Sequence, residues 1–239
     1  MTESSLMHMN PMIQTLSEII YVDSHDRFLE LLEDKLTELS TLVCATAKKN
    51  TSVENYKSLF AYSDEIACPI KRKSYIADLE KKLEDDISIQ LINLLNQNGF
   101  DAGHEDFHNG HVDIVIKSHN KKFKWLGEAK LYGGNKYSEK GLYQLINDYS
   151  LGKLNESGGV LIYLNSTQYS VKKVMQNWDS HLKELSKDTS NRLNSFTSEF
   201  KIDKEGKQDS SIFYSTHEHH RSGDPYRIRH CCLDIRIDF

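Results

Sequence analysis

The chain is short of the residues that brace small secreted proteins. Its 239 residues include four cysteines, Cys44, Cys68, Cys231 and Cys232, with no CxxC pair among them. A disulfide framework or a zinc knuckle is therefore not expected, and a reducing cytoplasm is. Only three prolines occur, at 11, 69 and 225, so few points force the chain to break. No apolar run approaches the roughly 20 residues of a membrane helix. Residues 1–14 lack the basic-then-apolar order of a secretory leader, so neither a membrane nor export is expected. A GxxxxGK[ST] phosphate loop is missing as well, which removes a built-in nucleotide motor. Nor is there an excess of positive charge: 30 Lys and Arg face 35 Asp and Glu, a net of −5. That excludes a protein that coats nucleic acid with its whole surface, but an average does not exclude a local basic field.

What is present fits a globular protein, with 38% hydrophobic and 27% charged residues. Residues 12–47 have helical periodicity, with Ser24 as a cap between two runs (Ile13, Leu16, Ile19, Ile20, then Phe28, Leu31, Leu32, Leu36, Leu39). Residues 48–72 are polar and read as irregular. They separate an N-terminal helical region, 1–72, from a second unit, 73–239. The spacing predicts a long amphipathic helix over 74–98, from the stripe Ile76, Leu79, Leu83, Ile87, Leu91 and Leu94, ended by Gly99. The period then changes to two. Strands are expected over 100–107, 111–118 and 122–131, with turns at Asn109-Gly110 and around Asn120-Lys121. A helix over 138–151 and a buried strand over 158–165 follow. The order is helix, three strands, helix, strand, in a mixed α/β class. A further helix, 171–185, a polar segment and two strands near 212–216 and 226–237 form a C-terminal extension over 166–239.

The hairpin of the second and third expected strands concentrates the chemistry. With its loop centred on Asn120-Lys121, opposite residues have numbers summing to 241, which sets Asp113 against Glu128 on one face. Lys130 projects from the same face two residues on. Two carboxylates directly across a sheet repel, so the arrangement calls for a cation between them. Hard oxygen donors suit Mg2+, with Mn2+ as a substitute, and a divalent ion beside a lysine suits phosphodiester hydrolysis.

The strings Gly110-His111-Val112-Asp113-Ile114-Val115-Ile116 and Trp125-Leu126-Gly127-Glu128-Ala129-Lys130 resemble the PD-(D/E)xK nuclease superfamily, over about residues 74–165. The resemblance implies a restriction-endonuclease-like αβββαβ core. It implies that Asp113 and Glu128 hold the metal and that Lys130 assists the attacking water. The proline usual before the Asp is replaced by Val112. Many members add a carboxylate from the first core helix. Glu80, Glu84 and Asp86 are the candidates: Glu80 and Glu84 flank the apolar stripe, with Glu84 favoured as the closer of those two to the strands, Asp86 is intermediate, and Asp85 is expected on the opposite side. An exonuclease-like branch adds Gln and Tyr on the helix after ExK. Gln144 fits that position, while Tyr149 lies five residues on rather than the usual four.

Between Asp113 and Lys140 there are seven lysines and three acids, a local net of +4. Lys117, Lys122, Lys124, Lys136 and Lys140 are the expected DNA contacts. Tyr132, Tyr137, Tyr143 and Tyr149 are candidates for stacking on bases, or for packing. His104, His108 and His111 read as a polar hairpin end near the cleft rather than a transition-metal site. His217, His219 and His220, with Arg227, Arg229 and His230 nearby, read as a phosphate-contacting or solvated hairpin ahead of a zinc site. Cys231 and Cys232 read as core fillers. By resemblance, the chain is a DNA endonuclease of a bacterial restriction or phage-defence system. Its weak overall charge calls for a homo-oligomer or a partner protein that adds grip and any ATPase or sensor function. The competing expectation is a catalytically silent module that binds nucleic acid or protein.

Overall fold

Asn10 and Ser24 are short polar residues ahead of apolar-periodic runs, and each caps a helix. The Asn10 side chain accepts from the Met12 N–H at 2.9 Å, and Ser24 Oγ accepts from the Arg27 N–H at 3.4 Å. They open α1 (Pro11–Ile20) and α2 (His25–Ala47). The structure, a computed structural model, describes residues 10–47, 51–107, 110–188, 200–203 and 210–235. The segment read as irregular contains a helix, α3 (Thr51–Tyr62), whose Tyr56 is buried and donates its hydroxyl to Asp86 at 2.6 Å. Tertiary packing overrides a weak local pattern there. The long helix, α4 (Pro69–Gln97), begins five residues before the expected start at 74 because Pro69 takes the first helical position, where a missing N–H costs nothing. Gly99, at φ +89°, turns the chain out of it.

The strands are β1 (Asp101–Phe107), β2 (Gly110–Lys117) and β3 (Lys124–Leu131). Then come α5 (Asn135–Tyr143), continued by a π-helical turn over Gln144–Tyr149, β4 (Glu156–Leu164) and α6 (Val171–Leu185). Three more strands follow: β5 (Phe200–Asp203), β6 (Ile212–Glu218) and β7 (Pro225–Asp234). Asn109, His108 and most of the polar segment after α6 lie outside the described residues. The helix-strand-strand-strand-helix-strand order expected for α4 to β4 is observed.

All seven strands form one mixed sheet in the order β1-β2-β3-β4-β7-β6-β5. The C-terminal hairpin is therefore not an appendage. β7 runs parallel to β4 and completes the sheet beside it. β4 is buried along its whole length, as a central strand covered on both faces should be. One core lies between the sheet and α1 to α4, through Leu32, Leu36, Leu83, Leu91, Ile114, Trp125 and Tyr163. The other lies under α5 and α6, through Val115, Leu126, Leu145, Ile162, Trp178 and Ile228. The helices before residue 72 thus share a core with the sheet. Among the described residues no helix is long and apolar enough to cross a membrane.

The histidine-rich hairpin is interior along its strands, while His220 and Arg221 at its turn are exposed. His217 and His219 are each 1% exposed and His230 is fully buried. Ser215 Oγ joins His217 Nε2 at 2.9 Å and His230 Nε2 at 2.7 Å, while Trp178 donates to His230 Nδ1 at 3.1 Å. Burial pulls the His217 and His219 pKa values down to about 3 and about 4, so both rings are neutral. Alternation could not reveal this, because a central strand buries both of its faces. Cys231 and Cys232 are buried, as expected of core fillers.

The Trp125 ring sits over two glycines. A Cβ on Gly127 would come within 2.6 Å of Trp125 Cζ3, and one on Gly159 within 2.3 Å of Cζ2. Gly159→Ala should therefore destabilise the fold by about 1–3 kcal/mol through overpacking. Gly103→Ala, with nothing within 4 Å, should change it little. Urea unfolding of the two variants checks the contrast.

Candidate active site

The expected register is present. Ile114 faces Gly127, Val115 faces Leu126 and Ile116 faces Trp125, each pair summing to 241. The β2–β3 ladder then stops at Ile114 and Gly127, one pair short of Asp113 and Glu128. Strict alternation would set Val112 beside Ile114 and Ile116, but it packs with Val115 and Leu126 on the other face. The regular alternation of β2 is broken at this point, and β2 leaves β3.

The break strands two backbone donors. The Ser118 N–H bonds the Phe123 carbonyl at 3.0 Å, which makes the odd-numbered residues of β3 the ones that address β2. Ala129 and Leu131 are next in that series and lack a strand partner on that side. Their N–H groups go to carboxylates instead: Ala129 to Asp113 Oδ2 at 2.7 Å, and Leu131 to Glu84 Oε1 at 2.6 Å. Glu84 arrives from α4, where it sits beside the apolar stripe and is 8% exposed. Buried donors must find acceptors, so the open edge of β3 holds both carboxylates in place.

Glu128 projects from β3 into the same cleft and is 1% exposed. Its Oε1 accepts from Lys130 Nζ at 2.5 Å, while its Oε2 is buried with no hydrogen-bond partner. Burial raises the pKa of Glu128 to about 8, with the Asp113 charge adding to the shift and Lys130 opposing it. Burial likewise raises Glu84 to about 7, against the Leu131 N–H and Lys130, and it raises Asp113. Burial alone would lower Lys130, but Glu128, Asp113 and Glu84 together raise it, so it is charged.

The cleft has a volume of about 730 Å³. Of the helix carboxylates, Glu84 lines it. Glu80 is exposed on another groove, and Asp86 is taken by Tyr56. Asp85, expected on the far side of α4, lines the cleft as well. Lys140 lines it, but Lys117 and its partner Lys124 lie toward the turn end of the hairpin, about 13 Å along the strand from Asp113 at ~3.3 Å per residue, and Lys122 lies beyond them in the turn. Lys136 is exposed and pairs with Glu139 at 3.0 Å. Lys81 on α4 is a cleft lysine that strand-centred reasoning missed. His104 and His111 stand at the cleft mouth, exposed, as a polar hairpin end should.

Gln144 and Tyr149 both line the cleft, and Gln144 Nε2 donates to the Tyr149 hydroxyl at 3.3 Å. The π-helical turn explains this. A five-residue repeat brings positions i and i+5 onto one face, so the odd spacing in the sequence becomes an ordinary neighbour pair in space. Tyr137 also lines the cleft, whereas Tyr132 stands edge-on to Tyr169.

The donor set suits a hard divalent cation: clustered carboxylates, with one buried oxygen lacking a partner. Among the described residues no three His, Cys, Asp or Glu side chains converge as a metal-ligand group. Mg2+ commonly takes one or two carboxylates and completes its shell from water and substrate phosphate. No protein-family model, curated protein or solved structure matches the chain.

The raised carboxyl pKa values make stability depend on pH. From the ordinary 4.5 up to about 8, the folded chain holds protons that the unfolded chain has released. The contribution is full below pH 4.5 and is lost as pH rises through 7 and 8. Without divalent ions, urea unfolding should show stability falling between pH 5 and pH 9, with a shallower fall in Glu128→Gln. An equal slope in both proteins would show that Glu128 is not the group that titrates.

Proposed function

We propose that the chain is a divalent-metal-dependent DNA nuclease of the PD-(D/E)xK type, with a restriction-endonuclease-like core from α4 to β4. The observation that carries this reading is the gathering of Glu84, Asp113, Glu128 and Lys130 in one cleft at the open edge of β3. Asp113 and Glu128 would hold the ion, with Glu84 completing or supporting the shell. When bound, Mg2+ or Mn2+ supplies charge that polarises the phosphate.

The chain's own groups do the rest. Lys130, held at Glu128 and charged, orients the attacking water and opposes the negative charge that develops on the phosphate. Gln144 and Tyr149 are polar groups at the cleft wall that position the substrate. Lys81 and Lys140 attract the backbone phosphates. With a net charge of −5, the chain binds DNA weakly alone, and a second copy or a partner protein adds grip. A role in bacterial restriction or phage defence follows from fold analogy alone.

A second reading has an observation of its own. Asp113 and Glu84 already satisfy backbone donors, and Lys130 already satisfies Glu128. Such a set would also serve a silent module in which the carboxylates staple β3.

Cleavage of plasmid, linear duplex and single-stranded DNA with Mg2+ or Mn2+ separates the two. The nuclease reading expects cutting that falls at least ~100-fold in Asp113→Ala and Lys130→Ala. No cutting of any substrate under any metal supports the silent module, and unimpaired variants would move the site elsewhere. Gly141→Ala is a finer probe. Its Cβ would meet Lys130 Cγ at 3.0 Å and Glu128 Cγ at 3.3 Å. Activity should drop while the unfolding midpoint stays near wild type, because the helix gains roughly 0.5–1 kcal/mol from alanine.

A further inference from the structure

The π-helical turn that carries Gln144 and Tyr149 is closed by Ser150, whose N–H bonds the Leu145 carbonyl at 3.0 Å, five residues back. The next two N–H groups, of Leu151 and Gly152, turn away to Glu156 Oε1 at 2.8 and 3.1 Å. The carbonyls of Ile146 and Asn147 are thereby left to other donors. Those donors come from the turn between β6 and β7, far along the chain. His219 Nε2 donates to the Ile146 carbonyl at 3.1 Å, and Arg221 Nη2 to the Asn147 carbonyl at 2.6 Å.

The turn is built to hold these two donors still. A carbonyl only accepts, so His219 Nε2 carries the ring proton, and Nδ1 accepts from the Arg221 N–H at 3.2 Å. Ser150 Oγ lies 2.6 Å from the same Nε2 and donates to the Ile146 carbonyl at 3.2 Å. The ring is 1% exposed and fills the space beside Gly152, where a Cβ would come within 2.2 Å of His219 Cγ. The turn is also closed on itself, with the His219 N–H on the Asp224 carbonyl at 2.9 Å and the Gly223 N–H on the His219 carbonyl at 2.8 Å. Ser222 donates its hydroxyl to the Gly152 carbonyl.

We propose that the β6–β7 turn is a brace for the candidate site, with Arg221 as a positioning residue that holds Gln144 and Tyr149 together on the cleft wall. In an α-helix the Ile146 carbonyl would accept from the Ser150 N–H and the Asn147 carbonyl from the Leu151 N–H. His219 and Arg221 occupy those two acceptors, so the turn is kept from tightening into the commoner form. Tightening would set Tyr149 about 140° round from Gln144 and part the two side chains, which now touch at 3.3 Å and both line the cleft. The proposal rests on the nuclease reading for what the pair faces, and on the hydrogen bonds alone for how the pair is held.

Arg221 is exposed, so Arg221→Ala should fold with an unfolding midpoint near wild type. In amide NMR spectra of the full chain, the side-chain signals of Gln144, assigned by their loss in Gln144→Ala, should move in Arg221→Ala. They should stay in place in Arg221→Lys, which keeps a donor. On single-stranded and linear duplex DNA with Mn2+, Arg221→Ala should lose about tenfold in kcat/KM, and Arg221→Lys less than about threefold. Added to Gln144→Ala and Tyr149→Phe together, Arg221→Ala should cost less than about a further twofold, since the pair it positions is already gone. The same tenfold loss in that background would place Arg221 on the substrate and overturn the brace, as would unmoved Gln144 signals. If wild type cuts no DNA, the nuclease reading falls, and the Gln144 signals alone then decide the brace.

Discussion

The candidate site depends on one departure, that of β2 from β3 after Ile114 and Gly127. A continued ladder would pair the N–H groups of Ala129 and Leu131 with backbone carbonyls. The carboxylates of Asp113 and Glu84 would then have no donors to hold them. Because the strands part, two elements distant in sequence, α4 and β2, each send an acid to the same edge. Concentrating negative charge in an interior is unfavourable, and the open edge offsets it with fixed dipoles that need no water.

The electrostatics follow from that geometry. Burial pushes all three carboxyl groups upward, while Lys130 works against each shift. The site is therefore short of positive charge by its own residues. A group that arrives with charge, whether metal ion or proton, relieves the same deficit.

Much of the core was legible in the sequence, for identifiable reasons. The β2–β3 register followed from centring the hairpin loop on Asn120-Lys121, a short polar turn, and it places Ile114 opposite Gly127 as counted. The α4 stripe was legible because leucines and isoleucines recur there at helical spacing. Periodicity failed where both faces of an element are buried. It could not tell that His217, His230 and Arg229 point inward, since a central strand has no polar side to reveal. The π-helical turn was also hidden, because a single five-residue step leaves no repeat. Its only trace was the spacing of Gln144 and Tyr149, which looked like a mismatch and is a contact. The cleft residues Lys81 and Asp85 were missed because α4 presents a flank to the strands as well as its stripe.

The pairing of β4 with β7 bears on how the chain reaches this state. Residue 158 of β4 meets residue 228 of β7, with α6 and the β5–β6 segment between them. Until β7 docks, β4 offers a bare edge along its apolar run Val160, Leu161 and Ile162, while every residue that lines the cleft precedes β4 in the chain. Such an edge is a template for another chain's strand, and a partner so far along the sequence comes late. The interval before β7 seals the sheet is then the period in which the chain is most prone to aggregate.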